Sequence, residues 1–266
     1  MATANSGGNS EDAGTDIEAG MTDTGDVIVS SLTLNDLNYS YFEAEVIDSN
    51  DVAVAASNDN DAELGNSNIV AGNSGENTAV AGTDISSSSP GYQTITGNVE
   101  VAAVILNGKD SLLNPLGFGL NYNKTKVVVT DSDDVAFSQT FLNRMTLNNA
   151  VLPAANSGMN SHDAGTDIEG GVIVTGNAEA SALIQNDLNY NEVDGSVTNS
   201  NDVAGAIDAD NDFTLDNLAT TEVNTGDNTK TAGTDSTGGS ITTGAASALK
   251  NIINKLNVNK FVFKVL

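Results

Sequence analysis

Apolar and polar residues alternate along many short stretches of this chain, which is the pattern of a β-strand with one buried face. The clearest case is the stretch 172–184. Its apolar face consists of Ala178, Ala180, Ala182 and Ile184. Methyl groups stacked about 4.8 Å apart fill a narrow interior that larger side chains do not fit. The pattern therefore predicts an all-β protein with a thin core of small side chains.

A twelve-residue motif, Asn-[Ser/Thr]-Gly-x-Asn-x-x-x-Ala-Gly-Thr-Asp, divides the chain into repeat units. It starts at Asn5, Asn73, Asn156 and Asn224 and ends at Asp16, Asp84, Asp167 and Asp235. A second motif, Ser-[Asn/Asp]-Asp-Val-Ala, starts at Ser49, Ser132 and Ser200. The predicted units are 1–72, 73–155 with loop insertions near 86–90 and 108–118, 156–223, and a truncated unit 224–266 with a basic C-terminal strand. Fixed spacing of this kind indicates a repeat architecture.

A weaker echo, about 24 residues long, recurs inside the units and suggests three shorter turns in each. Turns of about 23 residues are typical of β-solenoids. The sequence thus predicts a repeat β-solenoid of about eleven turns, in which asparagines at matching positions form amide ladders. Tandem small β-sandwich domains are the alternative, since they also explain the longer unit.

The stretch Gly239–Ala248, followed by Asn251 and Asn254, resembles the Asn/Gly/Thr-rich repeats in surface proteins of bacteria with reduced genomes. The resemblance covers the first two-thirds of every unit. It implies an extracellular or cell-surface structural role and no catalytic residue.

Charge and composition exclude several classes of function. The chain has 36 Asp and Glu against 9 Lys and Arg, so it repels nucleic-acid phosphates. It lacks the run of about 18 apolar residues that a membrane helix needs, and its N-terminus shows no signal peptide. With no cysteine and a single histidine, most nucleophilic and zinc chemistry is excluded. We expect no enzyme activity, and a glycan-cleaving solenoid is the enzyme alternative.

The charge is also unevenly distributed, which suggests assembly. Residues 1–108 contain 17 acidic residues and no Lys or Arg, whereas 250–266 contain four lysines and no acid. Opposite charges at the two ends favour a homo-polymer, head to tail, through a final apolar strand. The expected assembly interface consists of Lys250, Lys255, Lys260, Phe261, Phe263, Lys264 and Val265. Alternatively, this strand only caps the rod, with its lysines guarding against aggregation.

These features predict a structural subunit of an extracellular filament or surface layer. The alternative is an adhesin stalk or a calcium-stiffened binding module that presents the two inserted loops. The candidate metal ligands are Asp208, Asp210 and Asp212, whose spacing is that of a calcium loop. An acidic solvated turn gives the same spacing, and no other cofactor is expected.

Several further positions lead to minor predictions. His162 shares its motif position with Glu11, Ala79 and Lys230, which favours a surface location. The motif threonines and aspartates are expected on every third turn, with the aspartates about 14 Å apart, too far to share an ion. An ice-binding threonine row is therefore disfavoured. Glycan acceptor triplets begin at Asn38 and Asn123.

Overall fold

The computed structural model describes residues 1–35, 38–86, 92–108 and 120–266. These residues are all-β, with strands throughout and no helix among them. The strands are β1 (Ala2–Asn5), β2 (Ser10–Ala13), β3 (Met21–Asp23), β4 (Val27–Asn35), β5 (Asn38–Ile47), β6 (Asp51–Asn73), β7 (Thr78–Ala81), β8 (Gln93–Ile95), β9 (Val99–Asn107), β10 (Asn121–Thr130), β11 (Asp134–Asn156), β12 (Ser161–Ala164), β13 (Asp167–Glu169), β14 (Val172–Val174), β15 (Ala178–Asp187), β16 (Asn189–Thr198), β17 (Asp202–Ala219), β18 (Glu222–Asn224), β19 (Thr229–Ala232), β20 (Asp235–Thr237), β21 (Ser240–Thr242), β22 (Ala246–Lys255) and β23 (Val258–Val265).

The strands form parallel sheets that run across the repeat units. The strand orders are β1-β6-β11-β17 with β18 also on β11, β23-β16-β10-β5, β19-β12-β7-β2, β13-β20, β21-β14-β8-β3 and β22-β15-β9-β4. Isolated bridges join Ile17 to Ile85 and Ile85 to Ile168, which continues the short β13-β20 sheet toward the first unit. Each sheet is therefore built from the same strand of successive units.

The register of these sheets corrects the expected turn length. Asn5 pairs with Asn73, and that residue pairs with Asn156. Partners thus lie one whole repeat unit apart, so the expected turn of about 23 residues is wrong. The alternative of tandem sandwich domains is also wrong, because strands of different units share every sheet. Apart from Ser86 and Gly108, the expected insertions 86–90 and 108–118 lie outside the described residues.

The interior is thin, as the alternation predicts. One core cluster consists almost entirely of valine, alanine and isoleucine: Val27, Val29, Val70, Val99, Val101, Ala103, Ile105, Val151, Ala155, Ala178, Ala180, Ala182 and Ile184. A second cluster contains the phenylalanines Phe137 and Phe141 together with valines. Both clusters stack equivalent residues of successive units, so burial is repeated at the strand spacing of about 4.8 Å.

Asparagine ladders cross this interior, as expected from the sequence. Asn107 and Asn186 are fully buried. Asn107 Nδ2 donates to Asn186 Oδ1 at 2.6 Å, and Asn186 Nδ2 donates to Asn254 Oδ1 at 2.7 Å. Further ladders include Asn60-Asn143-Asn211, Asn66-Asn149-Asn217, Asn123-Asn191-Asn259 and Asn9-Asn77-Asn160-Asn228. Within these ladders each side-chain amide donates to the amide oxygen of the next unit. These hydrogen bonds offset the cost of burying the polar groups.

The repeated motif requires glycine where successive units approach most closely. A Cβ at Gly75 would lie 2.0 Å from the carbonyl oxygen of Gly158. No side chain fits that distance, so the Asn-Ser-Gly corner stacks only with glycine at this position.

Candidate assembly edges

The sheets end in two rows of edge strands, one from each end of the chain. The first edge consists of β1–β5 and the outer side of residues 51–69 in β6. The last edge consists of β17–β23. Within the described chain, these strands have hydrogen-bonded neighbours on one side only. Their outer N–H and C=O groups therefore offer a template for another strand.

All seven residues of the expected interface lie on β22 and β23, at the last edge. Lys250 occupies an inward position, since it pairs with Ala182, which is buried. Phe261 and Val265 remain 41% and 56% exposed. The predicted residues therefore lie on two strands of the last edge, β22 and β23.

Two of these lysines are bonded within the chain. Lys255 Nζ lies 3.3 Å from Asp187 Oδ2, and Lys260 Nζ lies 2.7 Å from Glu192 Oε1. Burial acts to raise the pKa of Glu192, but hydrogen bonds from Lys260 and Tyr122 outweigh it and lower that pKa. The same hydrogen bond raises the pKa of Lys260. These ion pairs fasten the last strands to the unit beneath them.

The two phenylalanines of β23 cover the phenylalanine-containing core. Phe263 stacks on Phe137 with ring centroids 6.0 Å apart, and Phe261 stacks on Phe141 at 6.3 Å. Gly195 makes room for this, because a Cβ there would lie 2.1 Å from the Phe263 ring. The strand therefore caps the core of its own chain, which was the alternative drawn from the sequence, while its outer edge stays open.

An apolar cavity of about 310 Å³ opens beside this cap. Its lining residues are Phe137, Val203, Gly205, Ile207, Phe263 and Val265. It lies next to the outer edge of β17, with which no strand of the described residues pairs.

The first edge has the opposite charge. Residues 1–68 contain 14 acidic residues and no Lys or Arg, whereas 221–266 contain three acidic residues and five lysines. Glu43 is bonded within the chain to Lys126 at 2.7 Å, which lowers the pKa of that carboxyl. Glu11 and Glu45 form no ion pair within the described residues.

His162 is buried, so its expected surface location is wrong. Its Nε2 lies 3.0 Å from Thr94 Oγ1, and its ring meets Tyr92 edge to face with centroids 5.1 Å apart. Burial, aided by the positive charge of Lys230, lowers the pKa of His162 to about 4. The imidazole is therefore neutral at pH 7. The varied residues at this motif position suggested exposure, but they are members of one inward column at different distances from the edges.

The motif aspartates and threonines also lie closer together than expected. Asp84 N–H donates to Asp16 Oδ1 at 3.2 Å, and Asp167 N–H donates to Asp84 Oδ1 at 3.1 Å. These residues are therefore neighbours in successive units, and the expected separation of about 14 Å is wrong. The threonine that precedes each aspartate likewise recurs in every unit rather than on every third turn. As the sequence suggested, the aspartates accept backbone hydrogen bonds, although from the next unit rather than within a local turn.

The candidate calcium ligands lie on a strand rather than in a loop. Asp208, Asp210 and Asp212 point outward from β17 and are exposed. Among the described residues, no group of three acidic or histidine side chains lies close enough together to hold a metal ion. The structure therefore does not bring these carboxylates together.

The two glycan acceptor triplets differ in accessibility. Asn38 is exposed. Asn123 is fully buried, and its Nδ2 donates to Asn191 Oδ1 at 2.9 Å. The amide nitrogen that a glycan would occupy is thus enclosed at Asn123 in the folded chain.

Comparison with protein-family models, with curated protein sequences and with solved structures found no match to this chain. In the part of the chain that the structure describes, no helix has the length and apolar character needed to span a membrane.

Proposed function

We propose that this chain is a β-solenoid in which one repeat unit makes one turn, and that it is a structural subunit of an extracellular filament or surface layer. Subunits join head to tail by strand pairing at the ends of the rod. The observation that carries this proposal is the pair of open edges with opposite charge. The resemblance to bacterial surface repeats supports the extracellular location.

The geometry of the edges favours polymerisation over a closed dimer. Parallel in-register sheets continue as parallel sheets only when the last edge of one copy meets the first edge of the next. Such a contact joins two different surfaces, so it repeats along an axis unless a rotation closes it. Opposite charges favour this order, because two first edges repel each other.

Electron microscopy of the purified full chain tests the proposal. We expect fibres of uniform width at low ionic strength and fewer fibres in about 1 M salt, where charges are screened beyond about 3 Å. Deleting 258–266 removes β23 from the last edge and should abolish the fibres. A monodisperse monomer under all salt conditions would contradict the filament, and a monomer whose heat stability falls with chelator would favour the calcium-stiffened stalk.

A further inference from the structure

One inward column carries opposite charges at its two ends. Glu11, Ala79, His162 and Lys230 are register partners in β2, β7, β12 and β19. The two middle members are fully buried. The column thus begins with a carboxylate at the first edge and ends with an ammonium at the last edge.

Lys230 has no carboxylate partner within the described chain. Its Nζ donates to the carbonyl oxygen of Gly170, and to those of Gly171 and Gly238 at 3.4 and 3.3 Å. Three carbonyl dipoles stabilise the ammonium only partly, since none of them carries a full charge. A carboxylate placed directly above Lys230 would give its ammonium the charged partner that these carbonyls do not supply.

A second column, on the outer face of another sheet, shows the same polarity. Glu45, Val128, Ser196 and Lys264 are register partners in β5, β10, β16 and β23. Glu45 and Lys264 are exposed, and neither forms an ion pair within the described residues. Two columns in different sheets therefore each begin with a glutamate at the first edge and end with a lysine at the last edge.

The amide ladders have a direction as well. In the column of Asn35, Asn107, Asn186 and Asn254, each Nδ2 donates to the Oδ1 of the next unit. Asn254 thus carries the last donor of the ladder, and Asn35 carries the first acceptor. A copy stacked on the last edge extends this ladder by one further hydrogen bond.

We propose, on the basis of the proposed function, that a second copy docks in the register that the sheets have within one chain. Lys230 of one copy then bonds Glu11 of the next, Lys264 bonds Glu45, and Asn254 Nδ2 donates to Asn35 Oδ1. Two like edges cannot make these contacts, because carboxylates would face carboxylates and donors would face donors.

This docking leaves one slot in the β17 sheet. The second copy places its residues 51–69 two strand spacings from β17, because no strand of the described residues of the first copy pairs with that edge. The slot is one strand wide, and the cavity beside Phe263 opens into it.

Disulfide cross-linking tests the register directly, since the chain has no cysteine of its own. Register partners on parallel strands lie about 4.8 Å apart, within the Cα range of about 4.4–6.8 Å that a disulfide accepts. We expect the double variant Glu45→Cys, Lys264→Cys to form covalent multimers on oxidation. The matched control, Glu43→Cys with Lys264→Cys, is two residues out of register and should form about 10-fold fewer, because its Cα separation exceeds about 7 Å.

Charge reversal tests the inward pair. We expect Glu11→Lys and Lys230→Glu each to weaken association about 10-fold in sedimentation, and the double reversal to restore it to within about 3-fold. Equal cross-linking by the control pair, or a double reversal weaker than both single variants, would overturn the register. If fibres form without register-specific cross-links, only the register fails, whereas a chain that stays monomeric throughout contradicts the filament itself.

Discussion

The two edges of the molecule contain members of the same columns but carry opposite chemistry. The column that starts with Ala44 at the first edge ends with Phe263 at the last, and the column of Ser31 ends with Lys250. The first edge is acidic with smaller inward residues at these positions, whereas the last edge is basic and bulky. A residue in the middle of a column must fit the equivalent residues of the units above and below it. A residue at an edge has only one such neighbour in its own chain.

The edges therefore differ from the middle in what they tolerate. A charge at an inward position, such as Lys250, is a known device against indiscriminate strand addition. The same charge between two units would be buried at high cost. The contrast between middle and edge can be tested by placing equivalent changes at both.

The largest difference is expected in the amide ladder. Asn186→Leu should lower the free energy of unfolding by about 4 kcal/mol, because a leucine replaces a fully buried amide, Asn107 loses its acceptor in the packed interior, and Asn254 loses its donor. Asn254→Leu, at the last edge of the same ladder, should cost about 1 kcal/mol or less. Urea unfolding of both variants measures the two values, and equal losses would contradict a ladder that is stronger in the middle.

The next effect is the pH dependence that buried His162 introduces. Its pKa is about 4 in the folded chain, against 6.5 for an unperturbed histidine. Because the unfolded chain binds the proton first, stability falls as the pH drops from about 6.5 to about 4, by about 3 kcal/mol in total.

Replacing His162 by alanine, the residue at Ala79 in the same column, should remove this component. The comparison is the difference between wild type and variant at pH 7 and at pH 4, which cancels the carboxylates common to both. A difference that does not change with pH would show that His162 keeps an unperturbed pKa in the folded state, as an exposed imidazole does.

A smaller loss is expected at the aromatic cap. Phe263→Ala should reduce the free energy of unfolding by about 2 kcal/mol, since the ring packs on Phe137 but is only partly buried. Val262→Ala, on the same strand with its side chain on the other face, is the control and should cost about 0.5 kcal/mol. Near-ultraviolet circular dichroism should also change in the phenylalanine variant alone.

The smallest effect is expected from the ion pair at the last edge. Lys260→Gln should cause only a small loss of stability at pH 7, because the lysine is half exposed and solvent screens its ion pair. The Glu192 carboxyl has a lowered pKa in the folded chain. Its contribution is therefore present above the ordinary glutamate pKa and is lost as the pH falls through the lowered value.

Lys264→Gln is the matched control, since Lys264 forms no ion pair in the described chain. Thermal unfolding at pH 7 should separate the two variants, and the difference between them should shrink as the pH falls through the lowered pKa of Glu192. A Lys264 variant that loses as much stability as the Lys260 variant in dilute monomer would contradict the assignment.

Much of the fold could be predicted from the sequence. The alternation of 172–184 predicted strands, and β14 and β15 lie there. The repeated motif placed Asp16 and Asp84 in equivalent positions, and the structure makes them neighbours in successive units. The predicted turn length was wrong because the 24-residue echo comes from similar strands within one unit. Those strands belong to different sheets, so they are not stacked on one another.

The residues of the predicted edge lie on β22 and β23, but the sequence did not identify what they contact within the chain. Lys255 and Lys260 are bonded to acidic residues of the preceding unit, which the sequence alone does not place beside them. The inward column of Glu11 and Lys230 was missed, although its signal was present. Variation at that motif position favours a surface location, whereas the structure makes its four members register partners at an inward position.

The sequence by itself determined the strands, the length of the repeating unit and the opposite charges of the two ends of the chain. These features depend only on local alternation and composition, which can be read directly from the order of residues. Only the tertiary structure decided which strands are neighbours, since hydrogen bonds across 68 or 83 residues depend on how the whole chain closes on itself. That closure buried His162 and aligned the asparagine amides into ladders with one direction. It also left, within the described residues, a free amide donor at the last edge and a free amide acceptor at the first edge.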